Sequence, residues 1–302
     1  MISLKQIHYA LAVERTLHFK KAAETCNISQ SALSTALSEM EKQLGFQIFE
    51  RDNRKVLVTP LGQQVLEKAR AIELQMDDLQ KLAEAHQSPL STPMTVGVIP
   101  TIGPYLLPRV LPELQTQYPQ LTLDIVEDQS AVLVDQLRRG ALDAAILALP
   151  YDCNGLLTFP FWEENFYWIS NPQDAMSDYE TINSDDLAQA KLILLKEGHC
   201  LSDHAIAACQ LQTVSSHAFS ATSLPTLIQL VAANLGSTLV PEMALEQLVN
   251  HNTELRKVPL NEPGPHRSIA FVVRPNYPLL NNVQLLMNLF KTELKNSVSL
   301  PE

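Results

Sequence analysis

The spacing of apolar residues changes period near residue 90, and this change divides the chain into two modules. From Leu4 to about residue 86 apolar residues recur three and four apart, as one helix face requires; from Met94 onward short apolar runs alternate with helical stretches. A chain of 302 residues can build a core of each kind. Between them the segment Gln87-Ser88-Pro89-Leu90-Ser91-Thr92-Pro93 has the composition of a linker.

In the first module Ser3 is placed to cap a helix over residues 4–16, with Leu4, Ile7, His8, Leu11 and Ala12 on one face. A short helix is expected at about Lys20–Cys26, then a break at Asn27-Ile28-Ser29, then a helix over Gln30–Leu44. Leu33, Leu37, Met40 and Leu44 form the buried stripe of the last helix and leave Gln30, Ser31, Ser34, Thr35 and Ser38 outside. Two helices joined by a three-residue turn match helix-turn-helix geometry. Phe46–Thr59 is strand-like and carries Arg51, Arg54 and Lys55, a basic β wing. Thr59 caps and Pro60 opens a helix to about His86, roughly 39 Å long, whose apolar stripe (Leu61, Val65, Leu66, Ala69, Ile72, Leu79, Leu82) calls for a partner, most simply a second copy. The block has two readings at this level. It is a winged DNA-binding head in which Gln30, Ser31, Ser34 and Thr35 reach base edges and the basic wing reaches phosphates, or an ordinary helical subdomain with a solvated polar face.

Net charge bears on that choice. The whole chain carries −11, which argues against nucleic acid, yet residues 1–86 hold 11 basic and 11 acidic side chains and the deficit lies entirely beyond them. The first 60 residues hold eight basic and six acidic groups, so one head alone has modest nonspecific affinity and pairing of heads matters. Other classes are excluded by composition. The nine glycines form neither a dinucleotide fingerprint nor a P-loop. Charged residues interrupt each apolar stretch before membrane-span length, and the amino terminus lacks a signal-peptide pattern. Four cysteines are too few for a disulfide scaffold, and neither Cys-x-x-Cys nor His-Glu-x-x-His occurs, so a cytosolic chain with no metal and no cofactor is expected.

The second module alternates apolar runs and helical stretches: strands at Met94–Ile99, Leu121–Glu127 and Leu142–Leu149, helices at Pro104–Tyr118 and Ser130–Arg139. A second series covers Asn165–Ser170, Lys191–Leu195, Cys200–Leu211, Val214–Phe219, Leu224–Asn234 and Ser237–Val240, with a closing strand at Ile269–Val273 and a helix at about Asn282–Lys295. That predicts two α/β lobes around a mostly parallel sheet, with ligand loops at the carboxyl ends of strands: residues 100–104, 128–130, 198–200 and 222–223. Thr101 and Ser130, in two of these loops, read equally well as helix N-caps.

Cys200 and Cys209 frame the sharpest chemistry. Cys200 opens a helical pattern, where unpaired backbone N–H groups, with His199 or Lys196, favour the thiolate that attacks peroxide; Asp203 opposes it. If residues 200–209 form one helix, the two α-carbons stand roughly 13–14 Å apart, whereas a disulfide needs about 7 Å or less. The bond then requires the helix to rearrange. The alternative is that both are small buried apolar residues, which Ala205-Ile206-Ala207-Ala208 also suits. Cys26 reads as core filler, and Cys153 has no assigned role.

Certain runs carry a resemblance. Phe19–Thr59, with Ala22-Ala23, Ile28-Ser29-Gln30-Ser31-Ala32-Leu33-Ser34, Leu44-Gly45 and Phe49-Glu50-Arg51, continuing through Thr59-Pro60-Leu61-Gly62, resembles LysR-type transcriptional regulators. Gly140-Ala141-Leu142-Asp143-Ala144 and Ala221-Thr222-Ser223 stand at landmarks of their effector module. The resemblance implies an α/β fold of three parts. They are an N-terminal winged helix-turn-helix (1–59), a dimerising linker helix and hinge (60–93), and a two-lobed, periplasmic-binding-protein-like effector module over 94–302. Lobe I covers about 94–163 and 268–302, lobe II about 164–267.

Gly198-His199-Cys200-Leu201, with Asp203 and Cys209, and Ile99–Pro108 are similar to the hydrogen-peroxide-sensing members of that family. By position, Cys200 is then the peroxide-reactive and Cys209 the resolving cysteine of a reversible disulfide, with Thr101, Ser130, His199, Asp203 and Arg267 shaping the pocket. Two positions depart from the pattern: Ser202 replaces a common arginine, and Ala218 replaces a histidine, with His217 one place earlier. What is implied is a cytoplasmic regulator of peroxide-defence genes and not an enzyme. Its partners are double-stranded promoter DNA, further copies of itself as dimer or tetramer, and RNA polymerase, with hydrogen peroxide as signal and no membrane. Its rivals are a metabolite-responsive regulator with incidental cysteines and a thiol peroxidase bearing a DNA-binding appendage.

Overall fold

The computed structural model describes residues 1–52, 55–85, 89–196, 198, 200–208 and 220–298, with backbone alone at 51, 52, 84, 85, 203, 205, 207, 208 and 298. It divides into two compact units, Met1–Glu84 and Ala85–Glu302.

The N-terminal unit contains α1 (Leu4–Thr16), α2 (Phe19–Thr25), α3 (Gln30–Leu44), the hairpin β1 (Phe49–Asp52) and β2 (Lys55–Val58), and α4 (Pro60–Ala85). Ser3 caps α1 in a capping box with Gln6. The buried face of α1 differs from the expected one: Gln6, Ile7, Ala10, Leu11, Ala12 and Val13 are inside, whereas Leu4 is 51% exposed. Gln6 is drawn inward by its bond to the Ala36 carbonyl, 3.1 Å, which rotates the stripe. Ser29 caps α3, and Gly45 ends it in the left-handed region (φ 79°). Leu33, Leu37 and Met40 are buried as expected, each stabilising the fold by about 1.5–3 kcal/mol relative to exposure. Glu41 of α3 accepts from the Ile48 and Phe49 amides (2.8 and 3.1 Å), fixing where the hairpin starts. Thr59 accepts from Gly62 N at 2.8 Å. A Cβ at Gly62 would stand 2.2 Å from the Ile48 carbonyl oxygen, so Thr59-Pro60-Leu61-Gly62 is a cap followed by a close backbone approach.

The larger unit contains β3 (Met94–Val98), α5 (Gly103–Gln117), β4 (Leu123–Glu127), α6 (Ser130–Arg139), β5 (Ala144–Leu149), β6 (Leu157–Glu164) and β7 (Phe166–Ser170). There follow α7 (Ser184–Gln189), α8 (Cys200–Ala208), α9 (Leu224–Ala232), β8 (Thr238–Pro241), α10 (Glu242–Leu248), β9 (Arg256–Pro259), β10 (Arg267–Val273) and α11 (Leu280–Val298). Two sheets form, ordered β4-β3-β5-β10-β6 and β8-β7-β9. Among the named strands of this unit, β4-β3-β5 pair in parallel, β10 runs antiparallel to β5 and β6, and β7 antiparallel to β8 and β9; isolated parallel bridges also join Ile182 to Leu260, Leu192 to Ser237 and Leu195 to Ala221. The expectation of a mostly parallel sheet is thus corrected. The β3–α5–β4–α6–β5 stretch supplies the helical crossovers between paired named strands, and the later strands of that sheet enter antiparallel from distant sequence. The main core includes Val98, Ile146 and Phe271 from one sheet and Phe166, Ile169 and Val240 from the other. Asp143 explains its landmark run: its carboxylate accepts from Thr95 N at 2.9 Å, tying the start of β5 to β3.

Candidate functional site

The carboxyl ends of three adjacent strands carry the candidate residues: Thr101 after β3, Ser130 after β4, and Tyr151 after β5. Neither expected N-cap role holds. Ile102 and Gln129 occupy the cap positions of α5 and α6, and neither makes a side-chain cap bond. Thr101 and Ser130 are therefore available for other work, and both are buried.

Ser130 Oγ lies 2.7 Å from Cys200 Sγ, and either atom can be the donor. Cys200 is the first residue of α8 and 5% exposed. Around it, Ser202 Oγ donates to the Leu195 carbonyl at 2.8 Å. Ser202 thus ties the helix to the segment before it. Lys196 N donates to the Ala221 carbonyl at 2.9 Å, which sets the Ala221-Thr222-Ser223 run beside the approach to α8; Ser223 itself caps α9. Gly198 has φ 95°, and a Cβ there would stand 2.6 Å from Gln129 Oε1, so consecutive residues 129 and 130 meet the loop and the thiol.

Arg267 is gathered with Thr101. Its side chain is fully buried, donates to Thr101 Oγ1 (3.3 Å) and the Thr101 carbonyl (3.2 Å), and pairs with Glu164 at 2.7 Å. Glu164 also accepts from Met243 N at 2.7 Å. Spacing along the chain carries no sign of Glu164, because the pair joins residues 103 apart. Burial pushes the Tyr105 phenol up to about 12; Glu127 adds to this and Arg267 opposes it. The Tyr151 phenol is likewise raised, by burial first and then by charge on Cys200. His199 and Cys209, and the side chain of Asp203, lie outside the described residues, as do His217 and Ala218. Cys26, Cys153 and Cys200 are thiols; Cys26 packs half-buried on the N-terminal core, as filler would. Among the described residues, no cluster of three or more His, Cys, Asp or Glu could hold a metal, and no helix is long and apolar enough to cross a membrane.

On the N-terminal unit, Gln30, Ser31 and Thr35 are exposed along the first two turns of α3, and Ser34 is half-buried beside them. Lys55 is exposed and pairs in register with Asp52 across the hairpin. Arg54 and the side chain of Arg51 lie outside the described residues.

Residues 4–63 match the model of bacterial regulatory helix-turn-helix proteins of the lysR family, and residues 87–295 match the LysR substrate binding domain. The HTH-type transcriptional regulator EstR of Acinetobacter baylyi is 38% identical over 291 residues, 96% of each chain. The DNA-binding transcriptional dual regulator OxyR of Escherichia coli K12 is 33% identical, covering 97% of this chain and 96% of that one. Among solved structures, a full-length cysteine-to-aspartate OxyR variant from Pseudomonas aeruginosa superposes with a TM-score of 0.77 at 33% identity, covering 96% of this chain and 95% of that one. A Corynebacterium glutamicum OxyR cysteine-to-serine mutant with bound H2O2 gives 0.68 at 31%, covering 99% and 94%. A helix-turn-helix head and an effector unit, matched along nearly the whole length, make this chain a member of the LysR family of bacterial transcriptional regulators.

Proposed function

We propose that this regulator senses hydrogen peroxide at Cys200 and passes the signal to its DNA-binding head through a reversible Cys200–Cys209 disulfide. The observation that carries the reading is the buried Cys200 thiol at the first residue of α8, 2.7 Å from the Ser130 hydroxyl. Peroxide meets a sulfur whose negative charge is stabilised by a donated O–H and by the helix's unpaired amides. The sulfur attacks one peroxide oxygen, the O–O bond breaks, and water leaves after protonation of the departing hydroxide. The resulting sulfenic acid condenses with the Cys209 thiol and releases a second water. Thr101, His199, Asp203 and Arg267 complete the pocket in this reading.

The geometry of α8 supports coupling between this bond and a change of fold. Cys200 and Ala208 are the two ends of the helix, eight rises or about 12 Å apart. Cys209 follows Ala208 by one Cα step of about 3.8 Å, which leaves it at least roughly 8 Å from Cys200 while α8 is intact. A disulfide spans about 7 Å or less, so α8 must come apart for it to close.

The two sheets support the division of the effector unit into lobe I (about 94–163 and 268–302) and lobe II (about 164–267). At the head, Gln30, Ser31, Ser34 and Thr35 read base edges of promoter DNA, and Arg51, Arg54 and Lys55 hold phosphates. The apolar stripe of α4 joins two copies, dimers pair into a tetramer, and the cytoplasmic assembly acts on RNA polymerase at peroxide-defence genes. Peroxide titration of the full chain followed by peptide mass spectrometry tests this: a Cys200–Cys209 cross-link near one equivalent is expected, and its absence refutes the reading. Cys200→Ser should abolish the peroxide response and leave DNA binding intact.

A cavity of about 640 Å³ lined by Tyr151, Cys153, Thr158, His266 and Arg267 favours a second reading, a regulator answering a small metabolite. Retention of signal-dependent DNA binding after both cysteines are replaced would support it.

A further inference from the structure

The loop after β5 is held at two points. His204 Nε2 lies 2.8 Å from the Pro150 carbonyl oxygen, and Arg138 Nη2 donates to the Asn154 carbonyl at 2.9 Å. His204 stands four residues beyond Cys200 in α8, so the two share a helix face about 6 Å apart along the axis. The face that carries the reactive sulfur is therefore the face fastened to this loop.

Cys153 lies three residues past Pro150, within about 10 Å of chain, and the loop turns back on itself there. Asn154 N donates to Asp152 Oδ1 (3.0 Å) and Leu156 N to the Cys153 carbonyl (2.9 Å). The thiol is half-buried, packs on the core that contains Cys200, and lines the 640 Å³ cavity with Tyr151. We propose that Cys153 is a second resolving thiol, which takes oxidised Cys200 into a Cys153–Cys200 disulfide while α8 stays folded. This rests on the peroxide reading of Cys200.

The chemistry balances with peroxide as the oxidant. Cys200 sulfur attacks a peroxide oxygen and becomes sulfenic acid, with one water released. Cys153 sulfur then attacks the sulfenic sulfur, the S–S bond forms, the S–O bond breaks, and the departing hydroxide takes up the Cys153 proton as a second water. Burial, the largest cause, pushes the Cys153 thiol up; Asp152 pushes the same way, Arg138 opposes, and charge on Cys200 adds least. Cys153 is thus a poor first target for peroxide and acts in the second step.

The two resolving thiols have opposite consequences for the helix. Closing onto Cys209 takes α8 apart, whereas closing onto Cys153 holds it and diverts a fraction of oxidised chains from the switch.

Full-length Cys209→Ser, treated with one to ten equivalents of hydrogen peroxide, alkylated and mapped by peptide mass spectrometry, tests the proposal. A Cys153–Cys200 cross-link as the main oxidised product is expected. Cys200 accumulating as sulfenic or sulfinic acid with Cys153 fully alkylated overturns it. A wild-type chain that forms Cys200–Cys209 while the variant gives no Cys153 link sinks this inference alone; a wild-type Cys200 that does not oxidise sinks the peroxide reading and this one together. As a second measurement in an otherwise wild-type chain, Cys153→Ser should raise the Cys200–Cys209 share of cross-linked product, and an unchanged share counts against the competition.

Discussion

Replacing Arg267 with methionine removes the guanidinium that pairs with Glu164 and leaves a carboxylate in a site where both side chains are essentially without solvent, at 0% and 1% exposure. Breaking one side of such a buried pair costs about 3–5 kcal/mol, because the remaining charge keeps its desolvation penalty and loses its compensation. Two bonds to Thr101 are lost as well, which places the expected cost of Arg267→Met at the upper part of that range. Glu164→Met should cost a similar amount by stranding Arg267 and the Met243 amide. The double replacement should cost much less than the two singles added, with a coupling of at least about 2 kcal/mol. Both tryptophans of the chain, Trp162 and Trp168, lie in β6 and β7. Urea unfolding followed by their fluorescence therefore reports on the effector unit in the full-length protein. With m about 2–3 kcal/mol/M, each single variant should lower the midpoint by roughly 1.3–2.5 M. Shifts under about 0.5 M for the singles, or simple additivity in the double, would refute the argument that Arg267 and Glu164 act as a compensated buried pair.

Ser130→Ala deletes the hydroxyl 2.7 Å from Cys200; loss of a hydrogen bond to a charged sulfur, about 1.5–3 kcal/mol, should slow Cys200 oxidation roughly 10- to 100-fold in stopped-flow peroxide reactions, and an unchanged rate removes Ser130 from the mechanism. Tyr105 gives an alkaline test. Its phenol is raised from 10 to about 12 in the fold, so its stabilising effect is complete below pH 10 and is lost as pH climbs from 10 to 12; Tyr105→Phe should flatten that part of the stability profile. On α4, Ile72, Met76, Leu79 and Leu82 are 40–62% exposed in one stripe. Leu79→Lys with Leu82→Lys should shift the full chain toward monomer in light scattering, and an unaltered mass means another surface joins the copies.

The sequence was most legible where local chemistry decides structure. α3 and α6 have the expected ends because Ser29 and Gly45, and Gly140, are strong local stops and starts. β6 was not foreseen: Leu157–Glu164 contains Pro160 and lacks clean alternation, and it survives as the edge strand of its sheet, where a missing N–H is tolerated. α7, α10 and β9 are too short for periodicity to register. At the site, Thr101 and Ser130 were visible as polar residues following apolar strands, and so was Cys200 as the start of a helix. Their partners were not. Arg267 meets Thr101 across 166 residues of sequence, and Ser130 meets Cys200 across 70, so the pairing belongs to topology and not to spacing.

The order β4-β3-β5-β10-β6 also bears on how the chain is made. β10 is inserted between β5 and β6, so the five-stranded sheet stays open until residue 273 has left the ribosome, and Glu164 waits for Arg267 until the same moment. The N-terminal unit closes within its first 84 residues. Synthesis therefore passes through a species with a finished head and no sensor, in which a strand edge stays unpaired and early closure would bury Glu164 without its partner. Stalled nascent chains ending at residue 266 should show a protease-resistant head and a digestible remainder, and chains ending beyond α11 should resist throughout.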